Sequence, residues 1–401
     1  MDMKKKLDET YNPDKQGRKE RIVIALSGGI DSFVMAYLMK IQKHDLVAVT
    51  VISHWEDYGE DQEKVLSCHI SAARLDAIRD FTHKLGIPHH IIKASSEFRE
   101  LVADSWLSAR LSGTLPRSCW DCHDLKMHLL FAKMQELGAK KLATGHYAKL
   151  FHHEVHKKVY VHTSNDEEHD QSNLLARLSS DLLSHLVLPL SDLTRKEVIK
   201  LGENFGVVDN PTPLRFNQCF PYTPELTSII EKRSPKKYLQ GGDIYFDDLL
   251  AGSHEGIYRL TPSSKIEIKE GTKSLKHDFG SYNWSDRKLI VVTSDFFKRS
   301  SLLLKNCFFS DTSLQATPFE AVITIRSSTI DGWVYPKSLS SVLIELQESI
   351  EIHNGEIITV QKKRGKNARV YLSGEAYLLP PVKPLEEGKT NAPKFDYFTD
   401  F

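Results

Sequence analysis

Two groups of residues in this chain have types and spacings that could do chemistry. The first is Ser27-Gly28-Gly29-Ile30-Asp31-Ser32, set between an apolar run, Arg21 to Leu26, and a helix-like apolar segment from about Phe33. Adjacent glycines let the backbone fold tightly and bring amide N–H groups close to phosphate oxygens, and two serine hydroxyls add donors at a helix N-terminus. Asp31 is expected to position the loop or a Mg2+ ion. The longer lysine-bearing phosphate loop has a different spacing, which this segment lacks. The second group is cysteine: Cys119 and Cys122 form a C-x-x-C at the expected start of a helix, and Cys219 lies a hundred residues on. With Cys68 and Cys307 the count is five, an odd number that argues against a disulfide scaffold and for redox, sulfur or metal chemistry. Reactivity requires an exposed thiolate, and a loop beside the phosphate site with Arg117 nearby would favour one.

These groups need a frame to hold them. From Arg21 to about Phe205, short β-branched runs (RIVIAL, LVAVTVI, HHIIKA, KLAT) alternate with longer helical patterns. This predicts an α/β domain over residues 1–205, a doubly wound parallel sheet with its ligand beyond the carboxyl ends of the strands. Residues 206–274 are rich in Pro, Gly and aromatics and read as a small, loop-rich central module. KLIVVTS, AVITIRSS, EIITVQ and ARVYLSG then predict a C-terminal β-barrel over 275–383, and 384–401 read as a tail.

The 401 residues suffice for two or three cores. No apolar run reaches the eighteen or so residues of a membrane span, and the charged N-terminus has neither a signal-peptide core nor a transit-peptide composition. A cytoplasmic protein without membrane contact is expected. The net charge of zero gives no global pull towards nucleic acid, but basic clusters at Lys4 to Lys6, Arg233 to Lys237 and Lys362 to Arg369 could each meet phosphates.

SGGIDS resembles the loop of the PP-loop ATP pyrophosphatases, a superfamily that cleaves ATP between its α and β phosphates and adenylates carbonyl oxygens. Within it, HWED (His54 to Asp57), KLGIPHH (Lys84 to His90), ATGHYAKL (Ala143 to Leu150), the stretch Asp170 to Val198, and GSHEG (Gly252 to Gly256) resemble, in order, segments of the tRNA-specific 2-thiouridylase family. The resemblance runs from about Arg21 to Gly374. It implies an adenine nucleotide alpha-hydrolase-like sheet, with ATP held by Ala25, Leu26, Ser27, Gly28, Gly29, Ile30, Asp31, Ser32, Val51 and Gly145, and Mg2+ as its companion ion. It implies Cys122 as nucleophile and Cys219 as persulfide carrier. Members with three cysteines at these positions also resemble holders of a 4Fe-4S cluster, which would make Cys119, Cys122 and Cys219 its ligands. RNA contacts carried over by position fall on Arg117, Ser118, Cys119, Asp170, Gln171 and Arg326. The implied partners are tRNA and a sulfur donor, either a cysteine desulfurase or a sulfur-relay protein.

The implied reaction adenylates the C2 carbonyl of the wobble uridine and replaces its oxygen with sulfur. The sequence departs from the family at Arg117-Ser118 (Asn-Pro in the family), His169 (Lys), Ser327 (Tyr), and LRFNQCF (DSQEICF). These departures leave two alternatives standing: a thiolase paralogue acting on another RNA, and an adenylating amide ligase that would not need the cysteines.

Overall fold

The structure, a computed structural model, describes residues 20–53, 70–153, 157–207, 220, 222–262, 264–270, 273–309, 317–325, 328–353, 355–362 and 369–377. Cys68, Cys219, Arg326, the segment 54–57 and the tail lie outside them.

The N-terminal body is the expected α/β unit: β1 (Arg21–Ala25), α1 (Ile30–Ile41), β2 (Asp45–Ile52), α2 (Ala72–Lys84), β3 (His89–Lys93), α3 (Ser95–Phe98), α4 (Asp104–Ser112), α5 (Ser118–Glu136) and β4 (Lys141–Ala143). A hairpin follows, β5 (Lys149–His153) and β6 (Lys158–His162), then α6 (Ser172–Leu175), α7 (Ser180–His185), β7 (Leu186–Val187) and α8 (Arg195–Asn204). The strands lie in the order β3-β2-β1-β4-β7, all parallel. Alternation along β1 explains why its run is almost wholly apolar: Ile22 and Ile24 enter one core with α1, and Val23 enters a second core with Met127, Phe131 and Leu142. A central strand covered on both faces has no wet side to encode.

The chain proceeds from β1 outward through β2 and β3, then returns to the opposite side of β1 as β4. The crevice between the carboxyl ends of β1 and β4 is therefore the switch point where a ligand is expected. SGGIDS leaves β1 there, and Gly145 follows β4.

The central module differs from its reading. After α9 (Pro224–Arg233), β8 (Gly242–Phe246), β9 (Leu249–His254), β10 (Lys265–Glu270), β11 (Lys273–Asn283) and β12 (Lys288–Val292) form one sheet ordered β10-β11-β12-β8-β9. The expected division at 274/275 falls inside β11, and KLIVVTS, read as a barrel strand, is β12, paired in parallel with β8. Glycine and proline marked the turns correctly, but strand partners far apart in sequence leave no local signal. The closed barrel has six strands, β13 (Lys298–Phe309), β14 (Phe319–Ile325), β15 (Ser328–Ser338), β16 (Ser341–Glu351), β17 (Ile357–Lys362) and β18 (Arg369–Tyr377), around Leu302, Ile323, Val334, Ile344 and Val360. Among the described residues no helix is long and apolar enough to cross a membrane.

Candidate active site

The loop after β1 is built by its own small residues. Gly28 adopts φ +76°, a conformation that costs other L-residues about 1–2 kcal/mol, and Gly29 is the extended N-cap of α1. α1 starts at Ile30, earlier than the expected Phe33, so Asp31 and Ser32 stand within its first turn. The Ser32 hydroxyl donates to the Gly29 carbonyl (2.8 Å) and accepts from the Ser27 amide (3.3 Å). It braces the loop, so its proton is not offered to phosphate as the sequence reading supposed. Leu26 is fixed from β2: its amide donates to Val49 O (2.9 Å), and its carbonyl accepts from Thr50 Oγ1 (3.0 Å), which in turn accepts from His89 Nε2 (2.8 Å). Ala25 is half-buried and Val51 is buried in the second core, so these two shape the crevice floor.

Gly145 meets this loop backbone to backbone. A Cβ there would sit 3.0 Å from the Asp31 carbonyl carbon and 3.2 Å from the Ser32 amide nitrogen. The next two residues complete the contact. Tyr147 donates its hydroxyl to Asp31 Oδ1 (2.6 Å), and burial together with the Asp31 charge pushes the Tyr147 pKa upward, keeping that proton in place.

The other oxygen of Asp31 accepts from Arg195 Nη1 at 3.0 Å. Local sequence sets Arg195 there: Thr194 and Glu197 form a reciprocal capping box that starts α8 at Arg195, whose amide donates to Asp166 Oδ2 (2.7 Å). His169 Nδ1 also donates to Asp166 (3.1 Å). The donors on Asp31 do not fit a Mg2+ ligand, because both of its oxygens are already engaged by groups that repel or compete with a cation. Tyr147, Arg195 and Asp166 are the site residues that the sequence reading missed. The motifs of Tyr147 and Arg195, GHY and LTR, were visible, but their convergence on Asp31 from over a hundred residues away was not, and Asp166 lies in neither motif.

This arrangement explains how a carboxylate can stand beside a phosphate loop: Arg195 offsets its charge. Arg195→Met is expected to raise the ATP KM roughly five- to a hundredfold, the effect of about 1–3 kcal/mol from an uncompensated, partly buried charge. Adding Asp31→Asn to that variant should recover part of the loss, which ATP titration of the two variants would show.

The cysteines lie on α5, whose N-cap is Arg117. Cys119 and Cys122, one turn apart, pack with Phe98, Val102, Trp106, Leu125 and Phe220. Cys122 is buried and Cys119 half-buried. Phe220 stacks on Trp106 with centroids 4.9 Å apart, so the residue that follows Cys219 joins the cluster that holds both α5 cysteines. Cys219, the third thiolate that a 4Fe-4S cluster would need beside Cys119 and Cys122, lies outside the described residues, and among those residues no three metal-ligating groups come together.

Arg117 ion-pairs with Glu375 on β18, which ties α5 to the barrel and offsets the cation expected beside the thiols. Ser118 is buried. Asp170 accepts from Ser164 N (2.7 Å), Ser172 Oγ (2.5 Å) and Ser172 N (3.3 Å), and Gln171 exchanges hydrogen bonds with the Tyr147 backbone at 2.8 and 3.1 Å. In this structure Asp170 folds the segment after β6 on itself, and Gln171 holds it against the loop that carries Tyr147.

A pair of imidazoles links the cysteine helix to the nucleotide crevice. His123, next to Cys122, places Nε2 3.2 Å from Nε2 of His146, whose Nδ1 lies 2.9 Å from Thr144 Oγ1. Burial, reinforced by His123, pushes the His146 pKa down to about 3, so it is neutral at physiological pH. Below about pH 6.5 the unfolded chain takes up a proton that the native His146 refuses, so this contribution to stability, complete above pH 6.5, is lost as pH falls towards 3. Urea midpoints at pH 7 and 4.5 should show a smaller drop for His146→Gln than for the parent chain.

Residues 20–220 match the family model described as tRNA methyl transferase HUP domain. Among curated proteins, the chain is 33% identical over 264 residues to tRNA-specific 2-thiouridylase MnmA of Rhodopseudomonas palustris, covering 65% of this chain and 66% of that one. It is 32% identical over 298 residues to the Nitrobacter winogradskyi protein of the same name (73% of each chain), and 28% identical over 373 residues to that of Rhizobium meliloti (90% and 92%). The aligned part thus spans just under two thirds of the Rhodopseudomonas relative. Among solved structures, it resembles U34-tRNA thiolase NcsA from Methanococcus maripaludis with its [4Fe-4S] cluster (TM-score 0.35, 19% identity, 57% of this chain and 69% of that one). It also resembles the NH3-dependent NAD synthetase from Campylobacter jejuni (TM-score 0.34, 17% identity, 57% and 90%). With a family match over residues 20–220 and relatives above 30% identity, this chain belongs to the MnmA family of tRNA-specific 2-thiouridylases.

Proposed function

We propose that the chain is an ATP-dependent RNA sulfurtransferase that converts a uridine, in the first instance the wobble uridine of tRNA, to 2-thiouridine. The observation that carries this reading is the joining of two chemistries in one body: a phosphate loop at the switch point of the sheet, and the Cys119/Cys122 helix tied to it through His123 and His146. An amide ligase using the same loop would have no need for the second.

ATP places its phosphates on Ser27 to Ser32, with its adenosine along Leu26, Val51 and Gly145. The C2 oxygen of the uracil attacks the α-phosphorus and pyrophosphate leaves, which turns a poor leaving group into AMP. The terminal sulfur of a Cys219 persulfide attacks C2, and AMP departs with the original oxygen. The Cys122 thiolate then attacks the inner sulfur of Cys219, which leaves sulfur on C2 and a Cys122–Cys219 disulfide for an external thiol to reduce. A persulfide-donating protein must recharge Cys219, and tRNA binding is assigned to Arg117, Ser118, Cys119, Asp170, Gln171 and Arg326.

A second reading keeps the chemistry and changes the RNA. It is favoured by Arg117, which stands where the family has Asn and pairs with Glu375. Mass spectrometry of nucleosides from cells with and without the gene separates the two. Loss of wobble 2-thiouridine on deletion supports the first reading, loss of another thiolated nucleoside the second, and an unchanged thionucleoside profile overturns both.

A further inference from the structure

The basic run Arg233 to Lys237 has no part in the adenylation or sulfur steps, yet the fold sets it beside a row of aromatic rings on the central sheet. Tyr238 meets Trp284 edge-on with centroids 5.5 Å apart, Trp284 meets Tyr282 at 5.5 Å, and Tyr282 meets His254 at 5.8 Å. The row runs from buried His254 to Tyr238 and Trp284, which are 36% and 37% exposed. The turn carrying Trp284 is rigidly braced. His254 Nε2 donates to Arg287 O (3.1 Å), Asn283 Oδ1 accepts from Ser285 N (3.0 Å) and Ser285 Oγ (2.8 Å), and Arg287 bonds Gln240.

The inner end of the row reaches the catalytic body: a Cβ on Gly113, which terminates α4, would lie 3.3 Å from Tyr282 Cβ. Five residues later the chain begins α5 and its cysteines.

Cations dominate the rim. Lys237 Nζ lies 4.8 Å from the Tyr238 ring centre, and Lys232, Lys236 and Arg287 are exposed. Arg233 is paired with Asp104 (3.1 Å), and of the nearby acids Asp286 pairs with Lys288 (3.3 Å), while Glu231 (2.6 Å) and the exposed Glu255 (3.6 Å) share Arg259. Exposed rings on a hydrogen-bonded turn with surface cations beside them are what an unpaired nucleobase with its phosphate needs: any base offers a π-face, and a nearby cation holds the backbone.

We propose that Tyr238 and Trp284 form a stacking platform for an unpaired base of the RNA substrate, with Lys237 and Arg287 on the flanking phosphates. This rests on the RNA-thiolating reading and adds a binding subsite apart from the reacting centre.

The test uses the full chain, a fluorescein-labelled uridine oligomer and a tRNA transcript, with binding followed by anisotropy at two salt concentrations and ATP affinity by calorimetry. Trp284→Ala and Tyr238→Ala should each weaken RNA binding roughly five- to a hundredfold, while Trp284→Phe retains most of it and ATP affinity is unchanged. The salt slope should be unaltered in the ring variants and reduced by about one in Lys237→Ala. Native RNA affinity in both alanine variants overturns the platform and leaves the thiolation reading intact. Failure of the parent chain to bind either RNA overturns both. Ring variants that bind RNA normally but no longer accept sulfur from a persulfide-carrying protein would make the patch a protein-docking surface, which also overturns the proposal.

Discussion

Cys219→Ser is expected to lower sulfur incorporation into RNA by at least about a thousandfold while RNA-dependent pyrophosphate release continues. Serine cannot carry a persulfide, because its oxygen forms no stable bond to a transferable sulfur. The phosphate loop, however, is built by residues of β1, α1, β4 and α8, so adenylation does not depend on the thiol. Cys122→Ser should produce the same split by a different route: sulfur reaches C2 but stays bonded to Cys219, and no Cys122–Cys219 disulfide appears in a reductant-free single turnover. Cys119→Ser distinguishes the two readings of the cysteines. In the persulfide route it weakens RNA binding but keeps most of the turnover at saturating RNA, whereas a three-thiolate cluster would lose its iron and its activity together. Pyrophosphate release, RNA-bound sulfur and disulfide content measured on the three variants decide among these. Loss of pyrophosphate release in all three would mean that the cysteines serve the fold and not the sulfur step.

Gly145→Val should abolish both half-reactions. A Cβ at this position lies 3.0 Å from the Asp31 carbonyl carbon and 3.1 Å from its oxygen, and neither neighbour is a flexible side chain that could turn aside. The loop, or the segment after β4, must move by several tenths of an ångström. A branched side chain adds two more heavy atoms at the same contact. Tyr147 and His146 ride on the displaced segment, so the bond to Asp31 and the link to His123 shift with it. Misplacement on the order of 1 Å costs about a hundredfold in a reaction that depends on alignment at the α-phosphorus. ATP-dependent pyrophosphate release should therefore fall by about a hundredfold or more, with Gly145→Ala intermediate. A Val variant with parental turnover would place the reacting phosphates away from this crevice. Comparison with Gly28→Ala is informative, because a Cβ there adds the strain of a positive φ to a contact with side chains, Arg74 Cγ and, at 3.3 Å, Ile78 Cδ1, and not with backbone.

Much of this was legible in the sequence. A phosphate loop is a local object: two glycines, a strand before it and a helix after it are adjacent in the chain, so spacing alone singled out residues 27 to 32 as the candidate, and the structure has the strand and the helix on either side. The C-x-x-C pair was legible for the same reason, since i and i+3 on a helix share a face wherever that helix packs. β1 and β2 were read from their apolar runs, because strands buried on both faces write a continuous signal, and the half-buried edge strand β3 was read from a shorter run, HHIIKA.

What the residues could not determine locally was partnership. The central module reads as loops because its pattern is broken by turns, yet β8 pairs with β12 across more than forty residues and closes a sheet. From sequence, Asp31 could position either the loop or a Mg2+ ion; the fold engages both of its oxygens, one through Tyr147 after β4 and the other through Arg195 at the start of α8. Arg117 looked like a cation beside a thiol, and β18 supplies Glu375 to offset it. Sequence by itself determined which groups can do chemistry, since bond type and local spacing are carried by neighbours along the chain. Only the tertiary structure decided their charge and proton state, because the fields and burial that set these come from segments that meet only when the chain folds.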